Sequence, residues 1–172
     1  DGVYQISYTL TDAAGNESVR SDAISLTIDK TPPNQPAIPT GFIDDIGLNQ
    51  GNLGFLNATD DTKPSLIIGP LSTGYTAQLY LNNQHVDSVY DSDTGTLTPI
   101  TALTEGMHNL SYTVVDAAGN ESARSPTVTI SIDTTSPLQP AAPTGFFDNQ
   151  GAETGALASG QVTDDTTPDL TI

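Results

Sequence analysis

Residues 12–18 read DAAGNES, and residues 116–122 read DAAGNES again. This identity is the strongest constraint on what the chain can fold into. Gly15 and Gly119 stand 104 positions apart, and at that offset residues 2–68 align with 106–172 without a gap. YTLTDAAGNESVRS matches YTVVDAAGNESARS, PTGFIDDIG matches PTGFFDNQG, and ATDDTKPSLII matches VTDDTTPDLTI. A unit is reiterated, and its period exceeds the roughly 20–45 residues of a solenoid repeat.

The period instead suits a whole β-sandwich of immunoglobulin type, at about 100 residues. The apolar pattern agrees, because it alternates with period two wherever it is legible. Tyr4, Ile6, Tyr8 and Leu10 alternate with polar residues, as do Ile24, Leu26 and Ile28. Their counterparts are His108, Leu110, Tyr112 and Val114, and Val128, Ile130 and Ile132. The expectation is an all-β chain of tandem immunoglobulin-like β-sandwich modules, one complete and two partial. Residues 1–29 are assigned to the last two strands (F and G) of one module. Residues 30–133 make a complete module, and 134–172 the first strands (A and B) of a third.

Within 30–133, strands are expected near 36–43 (A), 65–71 (B), 76–81 (C), 84–90 (its hairpin partner), 97–103 (E), 107–115 (F) and 126–132 (G). Pro99 places strand E at a sheet edge, since proline cannot donate to a ladder. DAAGNES is then the F–G loop, with Gly supplying positive φ and Asp and Asn bonding local backbone. Prolines 33, 36 and 39, and again 137, 140 and 143, favour extended backbone, so the linkers read as short, stiff struts.

Charge narrows the partners. Four Lys+Arg against 21 Asp+Glu give a net charge of -17, which repels nucleic acid and anionic membranes. No apolar run approaches the ~18 residues of a membrane helix, so no membrane insertion is expected. Any export signal is expected to lie outside these residues. There is no Cys, which removes disulfides, thiolate zinc sites and Cys nucleophiles. Two His and no G-x-S-x-G leave no evident catalytic set, so the chain is expected not to be an enzyme.

The acids cluster, and the clusters repeat. They are the Asp closing strand G (Asp29, Asp133), the first Asp after Gly-Phe (Asp44, Asp148), the TDDT pair (Asp60 and Asp61, Asp164 and Asp165) and the Asp opening the F–G loop (Asp12, Asp116). Calcium takes about six to eight oxygens, and acidic loops at domain ends supply them. Sandwich topology should gather Asp44, Asp60, Asp61 and Asp133 at one pole. At the other, Asp116 and Asn120 should approach Asp29 and the 30–33 backbone. Carboxylates held close together repel one another unless a cation neutralises them, which makes Ca2+ the expected ligand. Asp45 ranks below Asp44, because its counterpart is Asn149.

Other residues carry weaker expectations. His108 is expected in the core and His85 in a solvated turn. Asp91-Ser92-Asp93-Thr94-Gly95 is expected to be a plain turn, since it lacks the third ligand position and terminal Glu of a calcium loop. Tyr75, Tyr80 and Tyr90 are candidates for a sugar-stacking face or for strand packing.

Three motifs together, TDAAGNES before the last strand, the D-x-[TS]-x-P linker and GFxDxxG…TDDTxPxL, resemble the bacterial immunoglobulin-like repeats of giant non-fimbrial adhesins exported by type I secretion. The resemblance covers essentially the whole chain. It implies an extracellular, cell-surface extender that supports adhesion or biofilm formation, with calcium at the module junctions bound by Asp29, Asp133, Asp44, Asp60, Asp61 and Asp116. Its partners would be neighbouring modules, with any host glycan or surface receptor engaged by a distal region. The competing reading is a glycan- or protein-binding accessory module of a secreted protein.

Overall fold

The computed structural model describes residues 1–152 and 154–172. Its described residues are strands and loops, in two compact units, 1–134 and 135–172.

In the first unit, β1 (Gly2–Ile6) and β2 (Ile24–Ile28) form a two-stranded antiparallel sheet. The following strands are β3 (Gly41–Asp44), β4 (Gly51–Leu53), β5 (Ala58–Thr59), β6 (Ser65–Ile67), β7 (Thr76–Leu81), β8 (Gln84–Val86), β9 (Ser88–Asp91), β10 (Thr96–Pro99), β11 (Gly106–Val115) and β12 (Val128–Ile132). They make two five-stranded sheets, ordered β4-β3-β6-β10-β9 and β5-β12-β11-β7-β8. Phe42, Leu66 and Leu97 from the first sheet meet Leu79, Leu110, Tyr112, Val128, Ile130 and Ile132 from the second in one buried cluster. That is the sandwich that the alternation predicts, with every second residue turned inward.

The second unit holds β13 (Gly145–Asp148), β14 (Gly155–Leu157) and β15 (Asp169–Thr171), ordered β14-β13-β15. Register follows the repeat. Gly2↔Ile28 and Ile6↔Ile24 become Gly106↔Ile132 and Leu110↔Val128. Phe42↔Leu53 and Asp44↔Gly51 become Phe146↔Leu157 and Asp148↔Gly155. Gly41 and Gly145 stay glycine because a Cβ there would come 2.6 Å and 2.3 Å from the carbonyl oxygens of Leu53 and Leu157.

Three strand expectations are corrected. The 84–90 strand breaks at Asp87: β8 pairs with β7 in one sheet, and β9 pairs with β10 in the other. Strand E is interior, between β6 and β9. Pro99 is tolerated because β6 pairs only as far as Leu97, so Pro99 faces β9 alone. Strand A is shorter than expected, and β5 crosses to run parallel to the end of β12. That crossing carries Thr59 to the opposite sheet from Asp44.

Candidate functional site

Most residues of the DAAGNES loop have an identifiable task. Asp116 Oδ1 accepts the N–H groups of Ala118 and Asn120, both at 2.9 Å, and its Oδ2 accepts Asn120 Nδ2 at 3.0 Å. Gly119 sits at φ 91° and donates to the Asp116 carbonyl at 3.1 Å. These donors favour the ionised form, so the Asn120 amide first, then the loop N–H groups, hold the Asp116 carboxyl below the usual carboxylate range. Asp12 makes the same three bonds to Ala14 and Asn16, with the same direction of shift.

Asn120 reaches outward as well. Its Nδ2 donates to the backbone carbonyl of Asp29 at 3.1 Å. With acceptors on Asp116 and Asp29, the amide nitrogen rather than the oxygen must face both. The expected approach of the F–G loop to the incoming linker is therefore present. Asn120 meets it as a donor to backbone, and Asp116 is spent on the loop. The linker continues past Pro33 and Pro36 along a groove whose floor includes Ile68, Leu71, Tyr112 and Val114. Gln35 Nε2 donates to the Arg124 carbonyl at 2.5 Å, fastening the strut further along.

The last letters of the motif face the sheet. Ser122 Oγ and Ser125 Oγ accept the N–H groups of Val114 and Tyr112 at 2.9 and 3.1 Å, replacing ladder bonds where β11 runs on past the start of β12. Glu121 Oε1 accepts the hydroxyls of Tyr80 and Thr113, each at 2.7 Å. The Tyr80 hydroxyl lowers the Glu121 carboxyl pKa, and Glu121 in turn raises that of Tyr80. The Arg124 guanidinium lies 3.8 Å from the Tyr80 ring centroid, a contact of about 0.5–1 kcal/mol at an exposed site. The three tyrosines do not share one sugar-stacking face. The Tyr80 ring carries Arg124, and the Tyr90 ring packs on the core while its hydroxyl accepts Leu71 N at 2.8 Å.

At the opposite pole, buried Asp44 accepts the Thr59 hydroxyl at 2.6 Å and the Ile46 N–H at 3.0 Å. Thr59 Oγ1 in turn accepts Asp61 N at 3.0 Å. Buried Asp61 accepts Lys63 N at 2.7 Å and the Asp45 N–H. Asp133 N donates to the Thr59 carbonyl at 2.8 Å, which brings strand G to the same place. Burial raises the Asp61 pKa, and the charges of Asp45 and Asp44 add to the rise. Asp60 parts from this group and lies against Gly47, where a Cβ would come 2.2 Å from its Oδ2. The second unit repeats the arrangement: Asp148 with Thr163, Asp165 with the Thr167 and Asn149 N–H groups, and Asp164 against Gly151.

Sequence reasoning missed Thr59 and underrated Asp45. Asp45 contributes its N–H, which is why Asn149 serves equally well in the repeat. The signal for Thr59 was the T of TDDT, present in both copies.

The expected calcium ligands thus supply charge, but most of their oxygens already accept bonds from protein N–H and O–H groups. Asp29 accepts Thr31 N at 3.0 Å in the same manner. Among the described residues no group of three or more His, Cys, Asp or Glu side chains is arranged to hold a metal ion. The 91–95 segment is a turn, with Asp91 Oδ1 accepting Asp93 N at 2.9 Å. His108 is buried, with Nε2 at 2.6 Å from the Thr104 carbonyl, and His85 lies exposed edge-on to Tyr80. No described helix is long and apolar enough to cross a membrane.

A family model described as bacterial Ig-like domain matches residues 38–134, more than half of the chain. Among curated proteins, none matches it.

Proposed function

Because the chain belongs to the bacterial Ig-like domain family, we propose that it is a structural extender, a stretch of surface-protein modules that holds successive sandwiches at a defined spacing and supports adhesion. The observation that carries this reading is the Asn120 bond to the Asp29 carbonyl, made by a loop that recurs letter for letter. A binding loop would be free to differ between copies, whereas a joint must be the same each time. The adhesin context, with export to the cell surface and a receptor engaged elsewhere, follows from the motif resemblance and is part of the proposal.

Calcium is the second part. Its support is the gathering of buried Asp44 and Asp61 beside Asp45 at one pole, where burial first, and then the charges of Asp45 and Asp44, raise the Asp61 pKa. The self-bonded carboxylates mean that an ion there would add to a pole already held by protein donors.

Small-angle scattering and thermal melting of the chain, each with calcium and with chelator, test both parts. A scattering profile that changes between the parent chain and Asn120→Ala supports the joint. An unchanged profile in the variant sinks it. A melting temperature indifferent to calcium removes the metal.

A further inference from the structure

The complete module keeps a cavity beside Asp87, where its chain crosses from one sheet to the other. Leu81 and Val86 line it, with Pro99 at the end of β10, Ala102 and Leu103 just after, and His108 on β11. Its volume is about 160 Å³. The segment 100–104, which forms part of the wall, is pinned at three points. Ile100 N donates to the Asp87 carbonyl at 3.0 Å and Leu103 N to the Thr62 carbonyl at 2.7 Å, while the Thr104 carbonyl meets His108 Nε2 at 2.6 Å. Protein interiors are close-packed, so a void kept between fixed walls is unusual. An apolar cavity of about 150 Å³ takes one benzene-sized ring.

His108 brings a polar group to this wall, and it is only 7% exposed. Its Nε2 faces a carbonyl oxygen, which can only accept, so Nε2 carries the proton. In the neutral ring Nδ1 is then a bare acceptor. It is buried and has no hydrogen-bond partner among the described residues. Such orphaned buried acceptors are rare, because each one costs free energy.

The repeat supplies the chemistry of the missing group. At the 104-residue offset, His108 corresponds to Tyr4. One copy therefore has a phenol side chain at this position. The other has a smaller ring, an adjoining cavity and an acceptor in need of a donor.

We propose that this cavity is a binding site for a small neutral phenol. The ring lies among Leu81, Val86 and Leu103, and its O–H donates to His108 Nδ1. Asp87, Thr101 and Thr104 also line the cavity and are exposed, so they mark its mouth. The Asp87 carboxylate there repels an anionic ring such as benzoate.

The experiment titrates phenol, toluene and benzoate into the 172-residue chain and follows methyl and imidazole signals by NMR. Phenol should shift the Leu81, Val86 and Leu103 methyls together with His108 Nδ1. Toluene, of similar size but without the donor, should bind roughly two- to tenfold more weakly, the worth of one hydrogen bond. Benzoate should leave these signals unmoved. His108→Tyr should abolish the response by restoring the larger ring. Ala102→Phe, at an exposed position of the wall, should block entry without disturbing the core, and it serves should the first variant fail to fold. Methyl signals indifferent to phenol overturn the inference. So does equal affinity for toluene, or an imidazole whose proton sits on Nδ1. A response that survives in folded Ala102→Phe also overturns it, since the phenol would then lie elsewhere.

Discussion

The Asn120 side-chain amide donates to the backbone carbonyl of Asp29, ninety-one positions earlier in the chain, at 3.1 Å. The same nitrogen donates to Asp116 Oδ2, so one amide ties the F–G loop to the linker and to itself. Asn120→Ala removes both bonds. The expected loss is about 1–2 kcal/mol, one ordinary and one charge-assisted hydrogen bond at a part-exposed site. Chemical denaturation measures it. Faster amide exchange in the 29–33 linker, with β11 unchanged, would locate it at the joint.

Acid should act on the same loop. The folded-state pKa of Asp116 is depressed, so its contribution is present above the unfolded value of about 3.9 and is lost as pH falls through the folded value. Asn120 is the largest support of that shift. Asn120→Ala should therefore move the acid-unfolding midpoint to higher pH. Asp61 has the opposite sign: its raised pKa means a contribution fully present below about 3.9 and lost as pH rises through the folded value. Carbon-detected NMR titration should show Asp61 protonating at higher pH than Asp116.

Thr59→Val keeps the shape of the side chain and deletes its hydroxyl. Asp44 Oδ2 and Asp61 N each lose a partner in a buried place. The expected cost is about 1–3 kcal/mol. Near the melting transition, each kcal/mol corresponds to roughly 4–8 °C for a domain of this size, which calorimetry resolves easily. A variant that melts with the parent chain would show that the two sheets are not cross-linked through Thr59.

Gly95→Ala tests a tight approach. Gly95 sits at φ 68°, its carbonyl accepts the Ile68 and Gly69 N–H groups, and a Cβ would come 2.6 Å from the Gly69 carbonyl carbon. The left-handed backbone alone costs about 1–2 kcal/mol, and parting two backbone segments adds to it. Equilibrium unfolding should show a loss of about 2 kcal/mol or more.

Calcium, if it binds beside Asp61, should stabilise by mass action, about 2.7 kcal/mol at a hundredfold excess over Kd. The Asp61 carboxyl signal should shift during titration. Asp61→Asn should lose the gain in melting temperature.

The repeat made much of this legible. Two copies of one sequence had to share one register, so the pairing of Gly2 with Ile28 foretold that of Gly106 with Ile132. It also placed DAAGNES beside the linker, because the F–G loop and the incoming strut share an end of a sandwich. The use made of the carboxylates was less legible. Asp in a short loop is equally suited to an ion and to nearby N–H groups, and only geometry shows that Asp44, Asp61 and Asp116 bond N–H groups. The crossing of β5 was hidden because two residues carry no periodicity. The interior place of Pro99 depended on where β6 stops pairing, a property of a partner strand.

What Asn120 grips is a main-chain oxygen, which every residue type possesses. The linker is therefore free to differ, as Lys30 differs from Thr134, without disturbing the grip. A gene that gains or drops a 104-residue cassette by unequal recombination need redesign nothing at the new boundary. On the proposed extender reading, copy number would become a free variable, and reach would change in whole steps by duplication alone.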